Sequence, residues 1–216
     1  MCTKMKEAIS RQLYSYWNSM RGERLAPKRF EIEPSQIAKI LPDTFILERI
    51  NPETARFRLA GTRICEAFAA EFRGVNVFDL FCLEDKITLQ REFSVIARQG
   101  AVGVFEIEGG TESSRKVRFE IVVTPLMHTR EVVDRYLGSI TPIDPPAWLG
   151  SELISERRLI CHELIWPDGR PHTLTDAMAR QSPFMPNVHN ARLVRVDRRQ
   201  FRVYDGGLSD GCDDER

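Results

Sequence analysis

Asp43 and Glu48 are the first carboxylates placed where a general base could work. They lie on or beside the run Leu41-Pro42-Asp43-Thr44-Phe45-Ile46-Leu47-Glu48-Arg49, and an inward carboxylate on a curved sheet can take a proton from a substrate. Their settings point elsewhere. Asp43 follows a proline at a helix–strand junction, where aspartate commonly bonds to nearby backbone. Glu48 alternates against Phe45 and Leu47, which turns it toward solvent. Cys161-His162 with His172 and His189 offers imidazole and thiol donors, but neither Cys-x-x-Cys nor His-x-x-x-His spacing is present. With His128 these histidines read as independent loop or surface residues, so no metal site is expected. The chain also lacks a Gly-x-Ser-x-Gly elbow, a phosphate-binding glycine loop and a Cys/His pair with an orienting group. No catalytic residue is assigned.

The elements that would position any site follow from periodicity. Residues 5–20 place Met5, Ala8, Ile9, Leu13, Tyr16, Trp17 and Met20 on one helical face, with Gly22 as the stop. Residues 34–41 read as a short helix ending before Pro42. Two strands then turn at Asn51-Pro52-Glu53, and Thr62 is expected to cap a helix running to Ala69 or Ala70. A helical turn at 77–81 and a long helix opening on Glu84 and Asp85 and closing at Gly100 come next. Strands follow at 104–108, 117–123 and 133–140. In the second of these, Val117, Phe119, Ile121 and Val123 alternate with Arg118 and Glu120, the pattern of a half-buried strand. Beyond 147 the pattern weakens, with a strand or helix between 148 and 164, a turn at Pro167-Asp168-Gly169 and a hairpin at 193–204.

Length and charge bound the function. A chain of 216 residues buries a real core as one domain with an appendage. Lys plus Arg and Asp plus Glu each number 31, so no net field draws in nucleic acid or a membrane surface. Arg192, Arg195, Arg198, Arg199 and Arg202 crowd one segment ahead of an acidic tail, read as a solvated hairpin and a frayed end, with a partner-docking patch as the alternative. Arg195-x-x-x-Arg199 lacks the companion words of a cyclic-dinucleotide site. The five cysteines are scattered and odd in number, which fits reduced thiols. With no signal peptide pattern and no run of about 20 apolar residues, the expected location is cytoplasmic.

The order strand, strand, helix, short helix, long helix and three strands over 41–144 resembles a PAS domain. Its wording is more specific. Leu41 to Arg49, Phe57-Arg58-Leu59-Ala60-Gly61-Thr62-Arg63 and Asp144-Pro145-Pro146-Ala147-Trp148-Leu149-Gly150 resemble an alphaproteobacterial family of PAS-domain proteins, as do Tyr16-Trp17-Asn18-Ser19 and Val203-Tyr204-Asp205-Gly206-Gly207. The resemblance implies an α+β fold with a five-stranded antiparallel sheet and helices on one face. It divides the chain into an N-terminal amphipathic helix and linker (1–40), the PAS-like domain (41–146) and a C-terminal extension (147–216).

It also implies a bacterial sensory or regulatory module. Flavin photosensors of this fold carry Gly-x-Asn-Cys, whereas this chain reads Gly74-Val75-Asn76-Val77. The long helix has no histidine to ligate haem iron. No cofactor is expected, and covalent flavin and haem are disfavoured. Phe57, Leu59, Phe68, Phe78, Phe93, Phe105, Phe119, Ile121 and Tyr136 would meet between sheet and helices, as a filled core or as the lining of a cavity for a small apolar ligand. Leu13, Tyr16, Trp17 and Met20 would either dock on the chain's own sheet or form a homodimer contact. Without a recognisable output domain, a signal would pass to a protein partner by contact. The competing readings are a small enzyme of the cystatin-like α+β type using a buried carboxylate, and a ligand-free scaffold.

Overall fold

The computed structural model describes residues 5–128, 132–169 and 171. The arginine-rich segment, the acidic tail, the expected terminal hairpin, His172 and His189 lie outside these residues. The chain enters through helix α1 (Ala8–Arg21), which stops at Gly22. The helix expected at 34–41 is instead two 3-10 turns, Pro34–Ile37 and Leu41–Asp43. Pro34 starts the first, and Pro42 cannot donate a helical hydrogen bond to the chain between them.

The hairpin β1 (Thr44–Asn51) and β2 (Thr54–Ala60) follows. Its turn is held by the Glu53 amide donating to Asn51 Oδ1 at 3.0 Å. Helix α2 (Thr62–Phe68) starts from Gly61, not from a Thr62 cap. The Gly61 amide donates to Thr44 O at 2.8 Å, and a Cβ on Gly61 would fall 2.1 Å from the Pro42 carbonyl. Only glycine tolerates that approach.

Helix α3 (Leu83–Gln99) opens on Glu84 and Asp85 as expected. The strands β3 (Val102–Gly110), β4 (Lys116–Met127) and β5 (Val133–Ile143) complete the five expected. A sixth, β6 (Glu156–Ile165), forms from the segment whose pattern was weak. The sheet is antiparallel throughout, in the order β2-β1-β5-β4-β3-β6. Helices α2 and α3 cover one face of this α+β sheet.

Helix α1 covers the other face, so β4 is not half-buried. Glu120 is 3% exposed, and its strand neighbours Val122, Thr124 and Leu126 are sealed as well. Leu13 and Trp17 are fully buried against the sheet, and Trp17 Nε1 donates to the Pro125 carbonyl at 2.8 Å. The third layer explains why alternation misled: a polar residue on the second face can be buried when a helix supplies its partners.

Replacing Trp17 by alanine is expected to cost about 3–5 kcal/mol, because a buried indole and its hydrogen bond are lost together. Chemical denaturation measures this. A cost near zero would mean that α1 is peripheral to the fold.

Candidate functional site

Seven of the nine expected pocket residues fall in two aromatic clusters that meet around one void. Phe68 stacks on Phe119 with centroids 4.5 Å apart and meets Phe72 edge-on at 5.4 Å. Phe72 touches Phe57 at 5.2 Å. Phe93 packs edge-on against Phe78 at 5.1 Å and Tyr136 at 5.0 Å, and reaches Phe105 at 5.9 Å. The Tyr136 hydroxyl donates to the Phe93 carbonyl at 3.1 Å, and burial pushes the phenol well above its ordinary pKa. Ile121 lines the void among them.

Leu59 is a correction. It lies 46% exposed on the edge strand β2, because the pairing slips between Ile46 and Leu47, which face Leu59 and Phe57 in turn and leave Arg58 as the extra residue, so Leu59 loses the phase that buries Phe57. The void left between Phe45, Phe57, Phe78, Phe93 and Phe105 is about 30 Å³. That is enough for a water molecule and about a tenth of a small-molecule pocket. The side chains fill one another's space.

The titratable groups stand apart from this interior. Asp43, expected to bond to local backbone, is buried and instead accepts from Arg63 Nη1 at 2.7 Å. Together with Phe68, Leu149 and Gly150 this pair borders an open groove of about 240 Å³. Glu48, expected to face solvent, is half-buried between Arg58 and Arg135. His162 Nε2 lies 3.6 Å from Glu92 on α3. Among the described residues no three metal-ligating side chains cluster. Cys65 and Cys82 are free thiols, but Cys161 is disulfide-bonded, contrary to the expectation of reduced thiols.

The outer face carries a polar seat that sequence reading missed. Glu120 accepts the Lys6 and Glu7 amides at 2.7 and 3.0 Å, holding the N-terminal approach to α1, where unpaired amides favour an anion. Glu106 accepts from Lys6 Nζ at 2.8 Å and faces Arg118 at 3.3 Å. The hydrogen bond from Lys6 draws the Glu106 carboxyl below its ordinary pKa, with the charges of Lys6 and Arg118 adding to the effect. Ser139 and Thr141 oppose Val122 and Glu120 across the β4–β5 ladder, so they share the face on which Glu120 meets α1. Their hydroxyls, and that of Ser10 on α1, are buried without hydrogen-bond partners. Tyr16 and Met20 are half exposed at the rim, with Tyr16 Oη accepting the Glu33 amide at 2.7 Å.

A sequence model of the PAS domain matches residues 5–141, taking in α1 and the first five strands. The chain belongs to the PAS domain family. PAS domains are sensory modules, and that much carries over to this one. No curated protein matches the chain. Among solved structures, a LOV protein of Rhodobacter sphaeroides aligns at 13% identity and TM-score 0.40, over 54% of this chain and 71% of that one. The PAS domain of an HTR-like protein from Haloarcula marismortui aligns at 19% and 0.35, over 53% and 95%. Likenesses at this level say nothing of what this PAS domain binds. No helix among its described residues is long and apolar enough to cross a membrane.

Two measurements check this description. Phe93→Ala should cost about 3–5 kcal/mol in guanidinium unfolding, as for a filled core; a residue lining a roomy pocket would cost far less. The seat should also show in pH dependence. Because Glu106 titrates lower in the folded chain than in the unfolded one, where a glutamate titrates near about 4.3, its contribution is complete above that value. It is lost as pH falls through the lower folded pKa. Glu106→Gln should therefore flatten the acid limb of the stability curve while leaving its slope above neutrality unchanged.

Proposed function

We propose that this PAS domain is a regulatory module that passes its signal by protein–protein contact made at α1 and the sheet face beneath it. The observation that carries this reading is the contrast between the two faces. The inner face is closed by aromatic packing around a void of about 30 Å³. The outer face holds α1 by a buried polar seat in which Ser10, Ser139 and Thr141 leave hydroxyls unsatisfied. Each such group weakens docking by its desolvation cost, about 1–3 kcal/mol. A helix with the same apolar anchors, Leu13 and Trp17, but with every buried hydroxyl satisfied would be harder to shift.

The partner is a second copy of the chain or another signalling protein of the bacterial cytoplasm. Leu13 and Trp17 belong to the fold, which leaves Tyr16 and Met20 as the contact edge. The reading includes neither a flavin–thiol adduct nor haem. Val77 lines the inner void, Cys82 is exposed at the start of α3, and α3 carries no histidine. It also assigns no catalysis, since Asp43, Glu48 and Glu106 are each engaged by basic side chains in separate places.

Met20→Glu adds a charge to the contact edge without opening the core. The wild type is expected to run as a dimer by light scattering and the variant as a monomer of unchanged melting temperature. A monomeric wild type would refute the homodimer. In that case, cross-linking to a partner that is equally strong in wild type and Met20→Glu would refute the α1 contact itself.

A further inference from the structure

The sixth strand carries an arginine with no acidic partner among the described residues. Arg157 lies on β6, outside the stretch that matches the PAS family. Its guanidinium carbon stands 5.4 Å from the Phe68 ring centre and 6.0 Å from that of Phe72. Nε is sealed from solvent and has no hydrogen-bond partner. Its one hydrogen bond among the described residues, Nη1 to Ser155 O, is stretched to 3.5 Å. Among the described residues no carboxylate pairs with it.

Burial pulls its pKa down with no acidic neighbour to oppose the shift, yet a guanidinium stays protonated in a protein. The flanking rings recover part of the cost through their negative faces. The other charged side chains of the interior are treated differently. Asp43 has Arg63, Glu92 has Arg91 and His162, Glu106 has Lys6 and Arg118, and Arg21 has Asp168. Glu120 has two amides.

The guanidinium borders a second void of about 20 Å³, walled by Phe57, Phe68, Phe72, Leu80, Phe81 and Ile140. A cation short of an anion beside an aromatic wall has the chemistry to recognise a carboxylate on an apolar body. We propose that Arg157 and the void it plugs form a binding site for a small apolar carboxylate. The carboxylate takes the guanidinium fork in two parallel hydrogen bonds. The guanidinium withdraws toward solvent with it, and the volume it vacates between Phe68 and Phe72 receives the apolar body. Neither the site nor its test depends on the partner contact at α1.

Phenylacetate and its neutral isostere phenylacetamide test this on the full chain, with hexanoate as a second carboxylate, by calorimetry and thermal melting. The wild type is expected to bind at least one of the two carboxylates, with phenylacetate at least about tenfold tighter than phenylacetamide. Arg157→Met should abolish that discrimination and, free of its buried charge, melt higher than wild type without ligand. Arg157→Lys keeps the charge but not the fork, so it should discriminate less well; it decides the matter if the methionine variant does not fold. Binding of neither carboxylate by the wild type, equal binding of phenylacetate and its amide, or full discrimination retained in either variant would overturn the site.

Discussion

The buried carboxylate of Glu120 constrains much of the rest of the molecule. A charge removed from water must be met by donors, and here the donors are backbone amides just ahead of α1. Meeting them brings α1 across the middle of the sheet, and that in turn buries Leu13, Trp17, Val122 and Thr124. The sheet then has no solvent-facing side at its centre. Gly138 shows how closely the strands are constrained: a Cβ there would fall 2.2 Å from the Phe45 ring and 2.4 Å from the Val122 carbonyl.

On the opposite face the aromatic side chains pack in edge-on and stacked pairs that suit ring quadrupoles. The family is known for sensing, yet the interior here is occupied by its own residues. Two of the places where described residues bury polar groups without full satisfaction, the α1 seat and Arg157, lie on opposite faces of one sheet. Strands β4 and β3 lie between them in the sheet.

The sixth strand is held to the long helix by a polar stripe. Asp85, Glu92 and Gln99 recur at seven-residue spacing, which keeps them on one side of α3. Asp85 accepts the Leu159 amide at 2.9 Å, Glu92 faces His162, and Gln99 accepts from Trp166 Nε1 at 3.2 Å. These contacts tie β6 to the core and bring Arg157 over Phe68.

The element order, the five central strands, the start of α3 and most of the aromatic interior were legible from local pattern. Hydrophobic period and turn residues act over a few positions and are written into the chain. The element order over 41–144 pointed to a PAS domain, and one residue within it has a plain physical reason, since Gly61 must pass within reach of Pro42. Contacts between distant segments were not legible. Nothing near Glu120 reveals that residues 6 and 7 will cap it from more than a hundred positions away, so it looked solvent-facing. Leu59 looked buried because it shares the alternation of Phe57, and the slip in the β1–β2 pairing that breaks that alternation leaves no local mark. The sixth strand and its arginine were hidden because a half-buried edge strand has almost no period of its own. Local sequence chose the elements and the family; the tertiary fold decided which polar groups were buried, because their partners come from the far end of the chain.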